Sequence, residues 1–421
     1  MRHPQILTTM STYSWSSFWS DLLAGVTVAL VALPLSLAIA IASGAEPAAG
    51  LITAIVGGFF ISLLGGSKFQ IGGPTGAFIV VVFGVIANHG YDGLVLATLM
   101  AGLILLVTGY FRIGNLISYV PEPVIDGFTI GIGVIIATSQ MKDFFGLSMG
   151  SVPADFLEKI PALWRAADSF SPASLAIGLL TLITIIILRK LAPRFPGLVV
   201  AVALGSALVA LFHLPVETIT TRFGALPRSL PVPSLPEISA DRLIELFPSA
   251  LVIAFLAGIE SLLSAMVADR VTKEHHRPNA EVMAQGVANI ASALFAGLPA
   301  TGALARTATN IRAGGKTPVA GIIHALVILI IMVVAAPLAG ALALPAMAAL
   351  LILAAWNMSE PHKWKTYLAL PRPDLLLLVM TLTLTVLIDL TVAIGVGVAL
   401  GLALRLRDKK ASPPPWDTPE R

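Results

Sequence analysis

The sequence contains no cysteine, which excludes a disulfide framework and any thiolate metal site. Charge is also scarce. Only 12% of residues are Asp, Glu, Lys or Arg, against about 25% in soluble domains. The first 20 residues are polar and aromatic and lack a cleavable signal pattern, so the first apolar segment is expected to insert as its own signal. No metal-ligand spacing, catalytic triad or nucleotide fingerprint stands in the chain, so no enzyme activity, metal or cofactor is expected.

Apolar sequence is what the chain has in excess. Hydrophobic residues make up 57% of it and the mean hydropathy is +0.91. Apolar runs approach or exceed the ~18 residues of a spanning helix and recur along the whole length; Val199 to Phe212 and Leu375 to Ile388 show their density. This pattern predicts an all-α polytopic membrane protein with the lipid bilayer as its surroundings. The formal charge of +3 is assigned to cytosolic loops, and no nucleic-acid partner is expected. Fourteen segments are predicted, over 22–43, 48–65, 70–88, 93–111, 122–141, 171–188, 196–213, 248–268, 281–296, 301–313, 318–336, 338–357, 374–388 and 389–407.

Two of these segments are broken. Gly72-Gly73-Pro74-Thr75-Gly76-Ala77 interrupts one apolar stretch, and Gly297-Leu298-Pro299-Ala300-Thr301-Gly302-Ala303 interrupts another. Proline lacks an amide donor and glycine weakens a helix, so each break predicts extended backbone that then starts a short helix. Lipid cannot satisfy loose backbone groups, so such breaks belong inside protein or beside a polar cavity. A helix starting there turns free amides and a partial positive charge toward its surroundings. Matched breaks in two halves point to the central site of a secondary transporter, here one for a small inorganic or carboxylate anion.

The spacing supports a repeat. Asp21 to Pro74 spans 53 residues, and Pro248 to Gly302 spans 54, so the break falls in the third segment of each half. The predicted organisation is a cytosolic N-terminal segment (1–21), a first seven-segment repeat (22–213), a Pro-rich extracytosolic connection (214–247), a second repeat (248–407) and a cytosolic tail (408–421). Seven is odd, which makes the repeat inverted. Lys68, Arg112, Arg189, Lys190, Arg194, Arg270, Lys273, Arg277, Arg312 and Lys316 place both termini in the cytosol by the positive-inside rule. A bacterial inner (plasma) membrane is the expected location.

The motifs carry a resemblance. Asp21-Leu22-Leu23-Ala24-Gly25-Val26-Thr27 through Pro34, Gly66-Ser67-Lys68-Phe69-Gln70-Ile71 leading into the first break, Pro123-Val124-Ile125-Asp126-Gly127-Phe128, and Arg306-Thr307 with Gly314-Gly315-Lys316-Thr317 occur in this order. Together they resemble the SulP (sulfate permease) family of anion transporters. The resemblance implies a seven-plus-seven inverted-repeat fold shared with nucleobase permeases. It further implies a core of segments 1–4 and 8–11 moving against a gate of segments 5–7 and 12–14, with a homodimer through the gate as a further expectation. Family members usually continue into a cytosolic STAS domain; here only a tail containing Ser412-Pro413-Pro414-Pro415-Trp416 follows Arg407.

Arg306 is the sharpest site candidate. A charge there costs about 2.5–3.5 kcal/mol or more in lipid, and a guanidinium would add a fixed charge and a planar donor fork to the half-helix amides; the family's anion-site arginine matches this position. Thr75, Gly76 and Ala77, with Ala303, Leu304 and Ala305, are expected to present the two half-helix N-termini. Ordinary close packing of small residues is the plainer account of them. Glu260 is the acid placed inside a core segment, where it would be protonated, paired with Arg306, or the carrier of a coupling proton. The family's sodium-coupled bicarbonate carriers resemble the Glu260 segment but use Asp there, with two hydroxyls nearby. Ser264 preserves one hydroxyl and Leu304 replaces the other, so H+ coupling or exchange is favoured over Na+.

Other features rank lower. Gly314-Gly315-Lys316-Thr317 has Asn310 where a P-loop needs glycine. His275-His276 falls in a charged loop from Asp269 to Glu281, with Asp269-Arg270 read as an ion pair. Asp126 and Asp389 are expected to cap helices, and His324 to be packed and hydrogen-bonded. The function expected is secondary transport of bicarbonate, sulfate, chloride or a dicarboxylate. The alternatives are a sodium-coupled bicarbonate symporter, a nucleobase permease, and a non-transporting membrane sensor or scaffold.

Overall fold

A computed structural model describes residues 3–111, 121–150, 152–192, 196–388 and 390–407. Asp389, Arg112, Arg194 and the tail 408–421, all used in the sequence reading, lie outside the described residues. Among the described residues, seven helices are long and apolar enough to cross a membrane: α1 (Trp15–Ala42), α2 (Pro47–Leu64), α3 (Phe78–Tyr110), α4 (Glu122–Phe145), α5 (Pro172–Leu191), α7 (Ala240–Thr272) and α10 (Val319–Gly340). Among the shorter or more charged helices are α6 (Gly197–Leu211), α8 (Pro278–Leu294), α9 (Leu304–Arg312), α11 (Leu344–Met358), α12 (Arg372–Leu387) and α13 (Leu390–Arg407). The chain is thus an integral membrane protein built almost wholly of helices.

Local sequence explains where the helices bend and stop. Gly90, at φ 71°, divides α3 into stretches 78–89 and 91–110, a conformation glycine adopts without strain. In the middle of α2, residues Thr53–Gly57 loosen into a π turn, a feature common beside functional sites. There Thr53 Oγ1 accepts from the Leu298 amide at 2.6 Å, so α2 deforms where it meets the second break.

The helices sort into two packed groups. In one, α3 packs on α7 and α8, α10 packs on α1 and α2, and α9 lies between α1 and α7. In the other, α4 packs on α11 and α12, α5 on α6 and α11, and α12 on α13. Small residues allow the closest approaches: a Cβ at Gly102 of α3 would meet the Gly286 carbonyl of α8 at 2.8 Å, and the reverse also holds.

Four expectations need correction. Asp126 does not cap a helix: α4 opens four residues earlier, with Pro121 as its N-cap and a proline in the first turn, because proline favours the first helical positions. Asp269 does not pair with Arg270; its carboxylate accepts from the amide and Nδ1 of His276, the latter at 2.7 Å. The charged loop ends before Glu281: α8 opens at Pro278, three residues ahead of the predicted segment, and Glu281 lies fully buried in its first turn. His324 is packed, yet neither of its ring nitrogens has a hydrogen-bond partner among the described residues.

Candidate functional site

The two breaks meet. Gly72–Gly73 forms β1 and Thr301–Gly302 forms β2, and they pair antiparallel with Gly72 opposite Gly302 and Gly73 opposite Thr301. The Ala303 amide extends the ladder to the Ile71 carbonyl at 2.8 Å. Backbone groups released by glycine and proline therefore satisfy one another, as a non-aqueous interior requires. Because the strands are antiparallel, α3 and α9 leave the crossing in opposite directions. Their first amides, Gly76 and Ala77 on one side and Leu304, Ala305 and Arg306 on the other, have no intrahelical acceptor.

Side chains from the flanking helices hold the crossing. From α7, Ser261 Oγ accepts from the Gly302 amide at 3.0 Å, and Thr301 Oγ1 donates to the Ala257 carbonyl at 3.0 Å. From α8, Asn289 accepts from the Ala300 amide at 2.9 Å and donates to the Ala300 carbonyl at 2.8 Å. Glu281, one face of the same helix, accepts from the Gly66 and Ser67 amides and from Gln70 and Gln285. This cage orients the extended segment that leads into β1. Sequence reasoning missed it, although Glu281, Gln285, Asn289 and Ser292 form a polar stripe at helical spacing on an otherwise apolar helix.

Arg306 is 1% exposed. Its guanidinium donates to the Gly72 and Pro74 carbonyls at 3.3 and 3.1 Å and to Ser36 Oγ of α1 at 3.0 Å. All three partners are neutral, and Nε has none. Among the described residues it forms no ion pair, so the alternative of a structural pair with Glu260 is not formed. Glu260 instead accepts from Thr75 Oγ1 at 2.6 Å, which ties α7 to the start of α3.

The remaining candidates divide by accessibility. Leu304 and Ala305 are exposed, Thr75, Gly76 and Glu260 are half-buried, and Ala77 and Ala303 are buried beneath them. Gly76 looks across to the second helix group, where a Cβ would meet Met358 Sδ at 3.4 Å and Ile136 at 3.7 Å. Ser264 is buried and donates to Thr307 Oγ1 at 3.2 Å, and Thr307 in turn accepts from the Ile71 amide. The Gly314-Gly315-Lys316-Thr317 turn also has an internal partner, because the Lys316 and Thr317 amides donate to Asp21 in the second turn of α1. A cavity of about 810 Å³ opens where the ends of α1, α4 and α11 meet; its lining includes Phe83 of α3, Lys142, Asp143 and Arg222.

Residues 18–381 match the sulfate permease family. The chain is 43% identical over 364 residues to the putative sulfate transporter YvdB of Bacillus subtilis, covering 86% of this chain and 68% of that protein. It is 33% identical over 339 residues to the bicarbonate transporter BicA of a Picosynechococcus species, covering 78% of this chain and 59% of BicA. Among solved structures, the transmembrane domain of a cyanobacterial BicA superposes with a TM-score of 0.79 at 31% identity, over 93% of this chain and 98% of that one. SLC26A9 superposes with a TM-score of 0.87 at 18% identity, over 97% of this chain and 68% of that one, a likeness of fold.

Proposed function

This chain belongs to the sulfate permease family, whose relatives here are transporters and not enzymes, and from that premise we propose that it is a secondary transporter of small anions working by alternating access. The substrate sits between the starts of α3 and α9, against Thr75, Gly76, Ala77, Ala303, Leu304 and Ala305. The observation that carries this reading is Arg306: a buried guanidinium with neutral partners only is left with uncompensated charge, which is costly without an anion nearby. Helix-start amides add to the same positive field. Amides and one buried charge select for charge more than shape, so sulfate, bicarbonate, chloride and small dicarboxylates all fit.

The alternating movement is assigned to the two packed groups. Helices α1–α3 and α7–α10 form the core and α4–α6 and α11–α13 the gate, as a seven-plus-seven inverted repeat with both termini cytosolic and a homodimer through the gate. The denser packing within each group than between them, and the nearness of Gly76 to Ile136 and Met358 across their boundary, support it. Coupling is to H+ through Glu260, or by exchange. Sodium is disfavoured because Leu304 offers no side-chain oxygen where the second hydroxyl would stand. Proteoliposome uptake across a panel of sulfate, bicarbonate, chloride, dicarboxylate and uracil, with pH and sodium gradients imposed separately, tests the reading. Uptake of uracil alone, or of none of them, overturns it.

A further inference from the structure

Between α4 and α5 lies a ten-residue helix, Phe156–Arg165, whose faces are inverted for a helix in water. Leu157, Ile160 and Trp164, spaced i, i+3 and i+7, form one stripe and are 62%, 46% and 82% exposed. Lys159, on the opposite side, is 3% exposed and donates from Nζ to Ser139 Oγ of α4 at 2.7 Å. Burial pushes this ammonium down to about 8. A helix facing water solvates its lysine and buries its Leu, Ile and Trp; this one does the reverse.

The inversion is favourable where the medium beyond the stripe is itself apolar. The helix packs against α4 and α12, and α12 itself carries exposed Leu376, Val379 and Leu387 on one face, so the stripe belongs to a body whose outer surface is apolar. Glu158 and Arg165 lie together about a quarter-turn from the stripe and are exposed, giving the charged flank that an interfacial helix turns toward water. Tryptophan suits the boundary, with an apolar ring and one polar N–H. We propose that helix 156–165 lies in the plane of the membrane interface, with Leu157, Ile160 and Trp164 among the lipids and Lys159 fastening it to α4.

The absence of native cysteine makes the test direct. Single variants Leu157→Cys, Glu158→Cys, Ile160→Cys, Trp164→Cys and Arg165→Cys are nitroxide-labelled in the full chain and reconstituted in phosphatidylcholine–phosphatidylglycerol vesicles. Collision with oxygen, which partitions into lipid, is compared with collision with a water-soluble nickel chelate. Oxygen should dominate at positions 157, 160 and 164, and the chelate at 158 and 165. Chelate access at all five positions overturns the proposal. So does protection of the stripe from both relaxants, which would mean a second copy or another protein covers it. If labelling disturbs folding, Trp164 is kept as sole tryptophan, with Trp15, Trp19, Trp356, Trp364 and Trp416 replaced by Phe. Brominated lipid should then quench it and aqueous iodide should not; the opposite result also overturns the proposal.

Discussion

A Cβ at Gly73 would overlap Nη1 of Arg306, so the glycine of the first break and the arginine of the second fit each other across the two halves of the chain. Gly73 sits at φ 150°, where an L side chain is strained whatever the space. The glycine lets the strand pass close to a guanidinium that bonds the carbonyls on either side of it, Gly72 and Pro74. Positive charge and broken backbone are thus one unit.

Gly73→Ala should therefore damage the site before the fold. Overpacking of about 1–3 kcal/mol falls on the crossing, so the protein should still assemble, with a melting temperature lowered by several degrees. Uptake should drop at least tenfold as Arg306 is displaced. Wild-type uptake in this variant would show that Arg306 can move without consequence.

Arg306→Ala removes both the charge and the brace. Three acceptors lose their donor, each exposed to a penalty of about 1–3 kcal/mol if left unsatisfied, so basal stability should fall. The informative measurement is the further rise in melting temperature on adding anion, which should be lost. Arg306→Lys keeps the charge without the planar fork and should recover part of that rise. Full anion-dependent stabilisation of the alanine variant would remove Arg306 from the site.

Glu281→Gln tests the cage behind β1. The native carboxylate faces two backbone amides and two side-chain amides, all donors. A glutamine must turn an N–H₂ group toward at least one of them, and losing a hydrogen bond to a charged group costs about 1.5–3 kcal/mol. Thermal unfolding of the purified variant should shift down by more than that of Glu274→Gln, whose partner Lys68 forms a more exposed pair. An equal shift for the two would mean the cage contributes no more than a surface pair.

Much of this architecture is legible in the sequence, for a physical reason. In lipid the hydrocarbon thickness sets helix length and backbone groups must be paired, so apolar runs and Gly/Pro breaks report segments directly. Thus the break at Gly72 to Ala77 and the role of Arg306 as a buried cation can be read from residue type alone. What those groups bond is not legible. Arg306 could have met Glu260, yet it meets carbonyls, because β1 and β2 pair residues more than two hundred positions apart. Glu281 hides in a charged stretch, and only the start of α8 at Pro278 carries it inside. Helix 156–165 was hidden in a polar connection, since its stripe is too short to raise the local hydropathy.

The division into two bodies makes a mechanical prediction. An ideal Cβ at Gly205 in α6 would lie 3.5 Å from Cβ of Ala346 in α11, at the lower end of disulfide geometry, and 2.7 Å from Thr181 Oγ1, whose side chain must shift to admit it; both helices belong to the proposed gate. Oxidising Gly205→Cys/Ala346→Cys should leave uptake within about twofold of the reduced protein, allowing for the modest strain such a bond introduces. Short bifunctional thiol reagents joining cysteines along the α1–α4 contact should block uptake. The reverse pattern would contradict the core and gate assignment.

Glu260 bears on coupling through its contact with Thr75. The 2.6 Å bond from Thr75 Oγ1 links the carboxyl on α7 to the turn that precedes α3, so a change in its protonation acts at the proposed anion-binding surface. Glu260→Gln mimics the protonated acid and retains an oxygen for Thr75, so folding should survive. It should abolish accumulation driven by a proton gradient while leaving anion exchange. Thr75→Val removes the donor with little change of volume, and should weaken anion uptake severalfold without abolishing its response to pH. Sodium should change neither, since Leu304 supplies no side-chain ligand where the second hydroxyl would stand. A sodium requirement in the wild type, with no effect of a proton gradient, would transfer the coupling role to sodium and leave Glu260 as the partner of Thr75 alone.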